Sequence, residues 1–276
     1  MKWLNFILSH SIFIAICAVA LAFQTHLLLH VNIDRYLYGF IFFATLCSYN
    51  FYWILSKAAF TKKNAVTGLL KKEFTGLAVF FIAATGLLYC LLQLKLPVSV
   101  IATAVVLTVI YSVPLLPFRA LHFTRKAGVL KTVVLAFTWA YVTAFIPLQK
   151  AYASLGDADL FIISRRFLFM LMLCIIFDNR DKAVDKIRGL HSLATDLKPA
   201  MLKALIYLIF AALFISNFLY ADYGITFYQS VALQVSTVAL LVIYFLSINN
   251  HSYLFYYFGV DGLMLFSALA TYIAGI

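Results

Sequence analysis

Residues 161–186 read FIISRRFLFMLMLCIIF followed by DNRDKAVDK, an apolar run that ends abruptly in the three carboxylates Asp178, Asp181 and Asp185. An apolar run without alternation or turn residues suits a membrane-crossing helix, because every backbone polar group in hydrocarbon must be bonded internally. Eight more runs of this kind surround it. They occupy residues 3–29, 36–56, 76–94, 97–116, 129–148, 201–220, 225–247 and 253–276. The expected fold class is therefore all-α, a polytopic membrane helical bundle with about nine transmembrane helices. No linker or shift of composition marks off a soluble unit, so residues 1–276 read as a single transmembrane domain.

Composition excludes the soluble alternatives. The chain is 65% hydrophobic and 11% charged, whereas a soluble domain is about half apolar and about a quarter charged. No soluble core absorbs that surplus. Basic residues outnumber acidic ones 21 to 10 but lie scattered among the loops, which argues against nucleic acid and for a lipid bilayer and a phosphorylated ligand as partners. Cys17, Cys47, Cys90 and Cys174 all sit in apolar runs without metal-type spacing and read as packed thiols. Lys2 and the apolar run after it have the outline of a signal peptide, but no small-residue cleavage site precedes a soluble domain. The run is expected to be a retained first span.

Loop charges give the orientation. Lys2, the loop with Lys57, Lys62, Lys63, Lys71 and Lys72, and the loop with Arg119, Arg125, Lys126 and Lys131 share one side. Arg180, Lys182, Lys186, Arg188, Lys198 and Lys203 join them. The other side carries Arg35, Lys95, Lys150, Arg165 and Arg166 beside Asp34, Asp157, Asp159 and Asp222. The N-terminus is thus expected in the cytoplasm and the C-terminus on the opposite side, as an odd number of spans requires.

Spacings of three and four put Asp178, Asp181 and Asp185 on one helical face. Converging carboxylates repel unless a cation sits among them, and magnesium accepts hard oxygen ligands while attracting phosphate. The alternative is a solvated segment in which Arg180, Lys182 and Lys186 neutralise the acids in local pairs, each worth only tenths of a kcal/mol.

Residues 178–192, DNRDKAVDKIRGLHS, resemble the second aspartate-rich motif of the UbiA superfamily of intramembrane prenyltransferases. Residues 111–117, YSVPLLP, and the basic loop after them are similar to that family's segment between its fourth and fifth helices. Nine spans with the N-terminus inside are also the family's architecture. The resemblance implies transfer of an isoprenoid chain from a prenyl diphosphate to a hydrophobic or aromatic acceptor within the bilayer, assisted by Mg2+. It implies Asp178, Asp181 and Asp185 as catalytic and metal-holding residues, and Asn50, Tyr111, Arg119, Arg125, Lys126 and Arg180 as substrate contacts. Cations that neutralise departing pyrophosphate lower the barrier to breaking the allylic carbon–oxygen bond, and aromatic faces stabilise the cation left behind. The 27 Phe, 17 Tyr and 3 Trp could line a prenyl tunnel, or simply contact lipid.

The resemblance has gaps. In the family's first motif an Asn is followed by aspartates four and eight residues later, but Asn50 is followed there by Ile54 and Ala58. The residue four beyond Tyr111 is Leu115 rather than a basic one. Either one magnesium suffices, with Lys57, Lys62 or Lys63 holding phosphate as a point charge, or catalysis is lost and binding of a lipid phosphate remains. A transporter, a third reading, would carry polar residues and broken helices near the midplane.

Other residues carry expectations too. Asp261, inside the last run, either faces a central cavity or bonds to a neighbouring helix. Arg165 and Arg166 read as interfacial anchors. His191 reads as a solvated loop residue beside the acidic motif, and Gln24, His26 and Gln234 as pocket-lining or interhelical polar groups. Gly76 and Gly86 suit close helix contacts.

Overall fold

The computed structural model describes residues 2–32, 34–60, 74–112, 128–148, 154–188, 191–219 and 221–276. Every long apolar run is helical over most of its described residues. In chain order the helices are α1 (Lys2–Ser9), α2 (Ile12–Leu29), α3 (Arg35–Phe60), α4 (Phe74–Gln93), α5 (Val98–Ser112), α6 (Gly128–Ala140), α7 (Asp157–Arg188), α8 (Leu193–Asp196), α9 (Pro199–Ser216), α10 (Phe227–Ser247) and α11 (Asp261–Ile273). Among the described residues seven helical segments are long and apolar enough to span a membrane; α5 is a shorter apolar helix, and α11 continues a π-helical turn at Phe255–Val260. The chain is an all-helical, multi-pass membrane protein.

The first run is not one span. Ser11 takes a left-handed φ of 63° between α1 and α2, so the helix breaks and restarts in a new direction. Asn50 holds the break, its Nδ2 donating to His10 O at 3.0 Å and to Leu46 O at 2.8 Å. The sixth expected span is longer than its apolar run: α7 continues through the acidic stretch to Arg188.

The bundle closes around α7. Residues 170–176 of this helix are buried on every side, as a helix apolar all round must be. Around it α2 packs on α3 and α11, α3 on α4, α5 on α6, α6 on α7, and α7 on α9 and α10. Gly39 and Gly86 let α3 and α4 approach closely; a Cβ at Gly39 would lie 2.8 Å from Cys90 Sγ, and one at Gly86 would lie 2.7 Å from the Phe43 ring. Gly86 therefore serves the close contact expected of it.

Broken backbone is repaired by side chains from neighbours, as a membrane interior demands. Pro147 has no N–H to offer the Thr143 carbonyl one turn back. Thr25 of α2 supplies the missing bond at 2.8 Å, beside a π-helical turn at Tyr141–Phe145. Gln24 likewise joins α2 to α11, its Nε2 donating to Ser267 O, Ser267 Oγ and Thr271 Oγ1 at 3.0, 2.9 and 2.8 Å. Gln234 bonds Asn217, and His26 bonds the Val31 carbonyl. All four cysteines are free thiols.

Candidate functional site

A cavity of about 1010 Å³ runs into the bundle between α3, α4, α5, α6, α7 and α11. Its deeper wall is apolar, with Leu87, Leu91, Ala104, Leu135 and Met170 among the lining residues. Its mouth is polar, because the ends of α3, α5 and α7 and the starts of α6 and α11 all face it. Asn50, Tyr111, Lys131, Asp178, Arg180, Asp181, Asp185 and Asp261 line this single space. Arg119, Arg125 and Lys126 lie outside the described residues.

Asp178 is fixed from two other elements. Its Oδ2 accepts from Thr132 Oγ1 of α6 at 2.5 Å and from the backbone N–H of Leu193, at the start of α8, at 3.2 Å. That geometry needs Gly128, since a Cβ there would overlap the backbone of His191 and Ser192 and lie 2.7 Å from Asp196 Oδ2. His191 does not face solvent alone; its Nδ1 lies 2.6 Å from Asp196 Oδ1.

Asp181 is engaged by its neighbour. Arg180 Nε and Nη2 grip Oδ1 and Oδ2 at 2.7 and 2.9 Å, the two-pronged geometry in which Arg binds carboxylate best. The guanidinium also lies 4.8, 4.8 and 5.1 Å from the ring centroids of Phe177, Tyr256 and Tyr257. Such a seat holds the positive charge at the mouth. The π-helical turn at Phe255–Val260 brings Tyr257 and Asp261 to the cavity side; Asp261 is 5% exposed.

Opposite the acids stand aromatics and a second cation. Tyr52 and Tyr111 stack at 4.9 Å, and Lys131 Nζ lies 5.8 Å from the Tyr111 ring. Tyr49 meets Trp139 edge-on at 6.2 Å. Sequence reasoning grouped Lys131 with the loop cations, whereas it projects from inside α6 into the cavity. Its placement three residues into an apolar helix was the available signal. Thr132 gave none.

The three carboxylates do not form the cluster that the resemblance implies. Both Asp181 oxygens are taken by Arg180, and Asp178 Oδ2 is shared by two donors. Among the described residues no three His, Cys, Asp or Glu side chains gather closely enough to hold a metal ion. As folded, Arg180 and not a cation shared among the carboxylates balances Asp181.

The arginine pair at the other end of α7 corrects its sequence reading. An interfacial anchor reaches toward headgroups, but Arg165 and Arg166 are 8% and 5% exposed. They turn inward because α9 and α2 offer carbonyls there: Arg165 Nη1 donates to Leu213 O at 3.1 Å, and Arg166 Nη2 to Leu21 O at 3.0 Å.

No family model matches the chain, and no curated protein does either. Among solved structures it is similar to the apo form of a UbiA homolog from Aeropyrum pernix K1, with a TM-score of 0.58 over 94% of this chain and 96% of that one, at 14% identity. A likeness at this identity is one of architecture, and it extends from end to end: the chain has the UbiA fold.

Proposed function

We propose that this chain belongs to the UbiA superfamily and is an intramembrane prenyltransferase that transfers an isoprenoid chain from a prenyl diphosphate to a hydrophobic or aromatic acceptor. One observation carries the reading: a single large cavity combines an apolar wall with a charged mouth, the shape of an amphiphile with a long tail and a polyanionic head. The tail lies among Leu87, Leu91, Ala104 and Leu135. The diphosphate meets Arg180 and Lys131, whose charges offset the negative charge that grows on the leaving group. The faces of Tyr49, Tyr52 and Tyr111 border the path of the allylic carbon. Asp181 orients Arg180, and Asp178 and Asp185 lie within electrostatic reach of Lys131. The basic loops, with Arg119, Arg125 and Lys126, put this mouth on the cytoplasmic side, together with the N-terminus.

Magnesium enters this reading as a competitor of Arg180. Asp181 would hold such an ion only with the Arg180 fork open, and the ion would supply positive charge to the departing diphosphate. Residues Ile54 and Ala58, and the closed Arg180–Asp181 pair, favour a second reading in which the cavity holds a lipid phosphate without transferring it.

The test is binding of a radiolabelled prenyl diphosphate to purified protein, with and without magnesium, for wild type and Asp181→Asn, following pyrophosphate release as acceptors are added. Magnesium-dependent binding lost in the variant, with pyrophosphate released, is the expected result. Binding without release under every acceptor supports the second reading. Absence of binding to wild type refutes both.

A further inference from the structure

We propose that the arginine pair of α7 forms a buried site for a monatomic anion, with chloride the form this chemistry selects. A cavity of about 30 Å³ lies between α2, α7, α9, α10 and α11 here, lined by Gln24, Arg165, Arg166, Ser236, Thr237 and Ser267 among others. It is remote from the acidic mouth: Arg166 and Asp178 are twelve residues apart on one helix, about 18 Å at the helical rise.

Among the described residues the site has positive charge and no protein counter-charge. A guanidinium stays protonated in proteins, so two adjacent buried ones are two fixed charges. Arg165 Nη1 reaches Leu213 O and Ser216 Oγ, and Arg166 Nη2 reaches Leu21 O at 3.0 Å and Thr25 Oγ1 at 3.3 Å. These partners are dipoles with no net charge. The ion pairs Arg180–Asp181 and His191–Asp196 both lie elsewhere and do not involve Arg165 or Arg166. Outside the described residues the chain has a single acid, Glu73. Uncompensated burial of two like charges is far too costly to persist in a membrane interior.

One atom points to the ligand. Arg166 Nη1 is buried without a hydrogen-bond partner, in a residue 5% exposed that lines this cavity. Ser267 Oγ accepts from Gln24 at 2.9 Å and has a proton left to donate. The hydroxyls of Ser236 and Thr237 are turned to the carbonyls of their own helix at 2.8 and 2.9 Å. A positive, donor-bearing pocket accepts an anion. Its volume exceeds the roughly 10–15 Å³ a cavity needs to hold one water, which gives a small anion room. A halide suits this volume, and bound there it joins five helices.

The experiment uses the whole chain in detergent, with chloride exchanged for gluconate at constant ionic strength, then titrated with chloride or bromide. The expected result is a saturable rise in Tm of about 3 °C at tenfold excess over Kd, absent with sulfate. Crystals grown in bromide should give an anomalous peak within hydrogen-bonding reach of Arg166 Nη1, and Arg166→Gln should abolish the chloride dependence. Should that variant fail to fold, the wild-type bromide map decides alone. A cavity without bromide, holding water or nothing, overturns the proposal whatever the Tm does.

Discussion

Replacing Gly128 with alanine probes how Asp178 is held. The new methyl carbon would overlap the backbone of His191 and Ser192, and backbone, unlike a side-chain tip, cannot rotate away. Restoring ordinary contact requires the turn at 191–193 to move by about 1 Å. The Leu193 N–H bond to Asp178 is 3.2 Å long, so that movement takes it beyond hydrogen-bonding range. Overpacking costs about 1–3 kcal/mol, and loss of a bond to a charged group adds about 1.5 kcal/mol. We expect Gly128→Ala to lose roughly 2.5–4.5 kcal/mol, a fall in Tm of about 5–18 °C in thermal unfolding. Asp178→Ala, which removes the acceptor, should lessen the Gly128→Ala cost by about 1 kcal/mol in a double-mutant cycle. A Tm for Gly128→Ala equal to wild type, or strict additivity in the cycle, would refute the proposed linkage between this glycine and Asp178.

Two other perturbations test the packing around the cavity. Asn50→Leu removes the bond that ties α3 to the α1–α2 break, so amide exchange in residues 2–11 should rise more than elsewhere, with a loss of about 1–2 kcal/mol; equal protection throughout the chain would count against this role. Gly86→Leu should lower stability by about 1–3 kcal/mol through the clash with Phe43, and adding Phe43→Ala should recover much of it if the contact is the cause, as thermal unfolding of both variants will show.

The helices were legible because a bilayer imposes one simple rule on the chain, and apolar runs obey it. The acidic motif was legible for a similar reason, since spacings of three and four reveal a shared face. Less visible was anything that depends on contact between distant segments. Thr132 and the Leu193 N–H reach Asp178 from α6 and α8, and nothing within residues 178–185 announces them. The break at Ser11 lacks a glycine or proline to signal it; its support, the Asn50 amide, comes from another helix. Arg165 and Arg166 sit near the end of their apolar run, where sequence favours an interfacial position. Carbonyls from α2 and α9 draw them inward instead. Tyr111, singled out by resemblance alone, lines the cavity, but its stacking on Tyr52 depends on a helix far away in sequence.

The length of α7 makes bilayer thickness a variable of the site. At 32 residues it is about 48 Å long, against roughly 30 Å of hydrocarbon. Its acidic end therefore emerges into the headgroup layer while its middle stays in oil. Lipids with longer acyl chains draw Asp178 and Arg180 deeper or force the helix upright, and shorter ones lift them toward water. Reconstitution across a series of acyl lengths thus retunes the hydration of the mouth without altering a single residue.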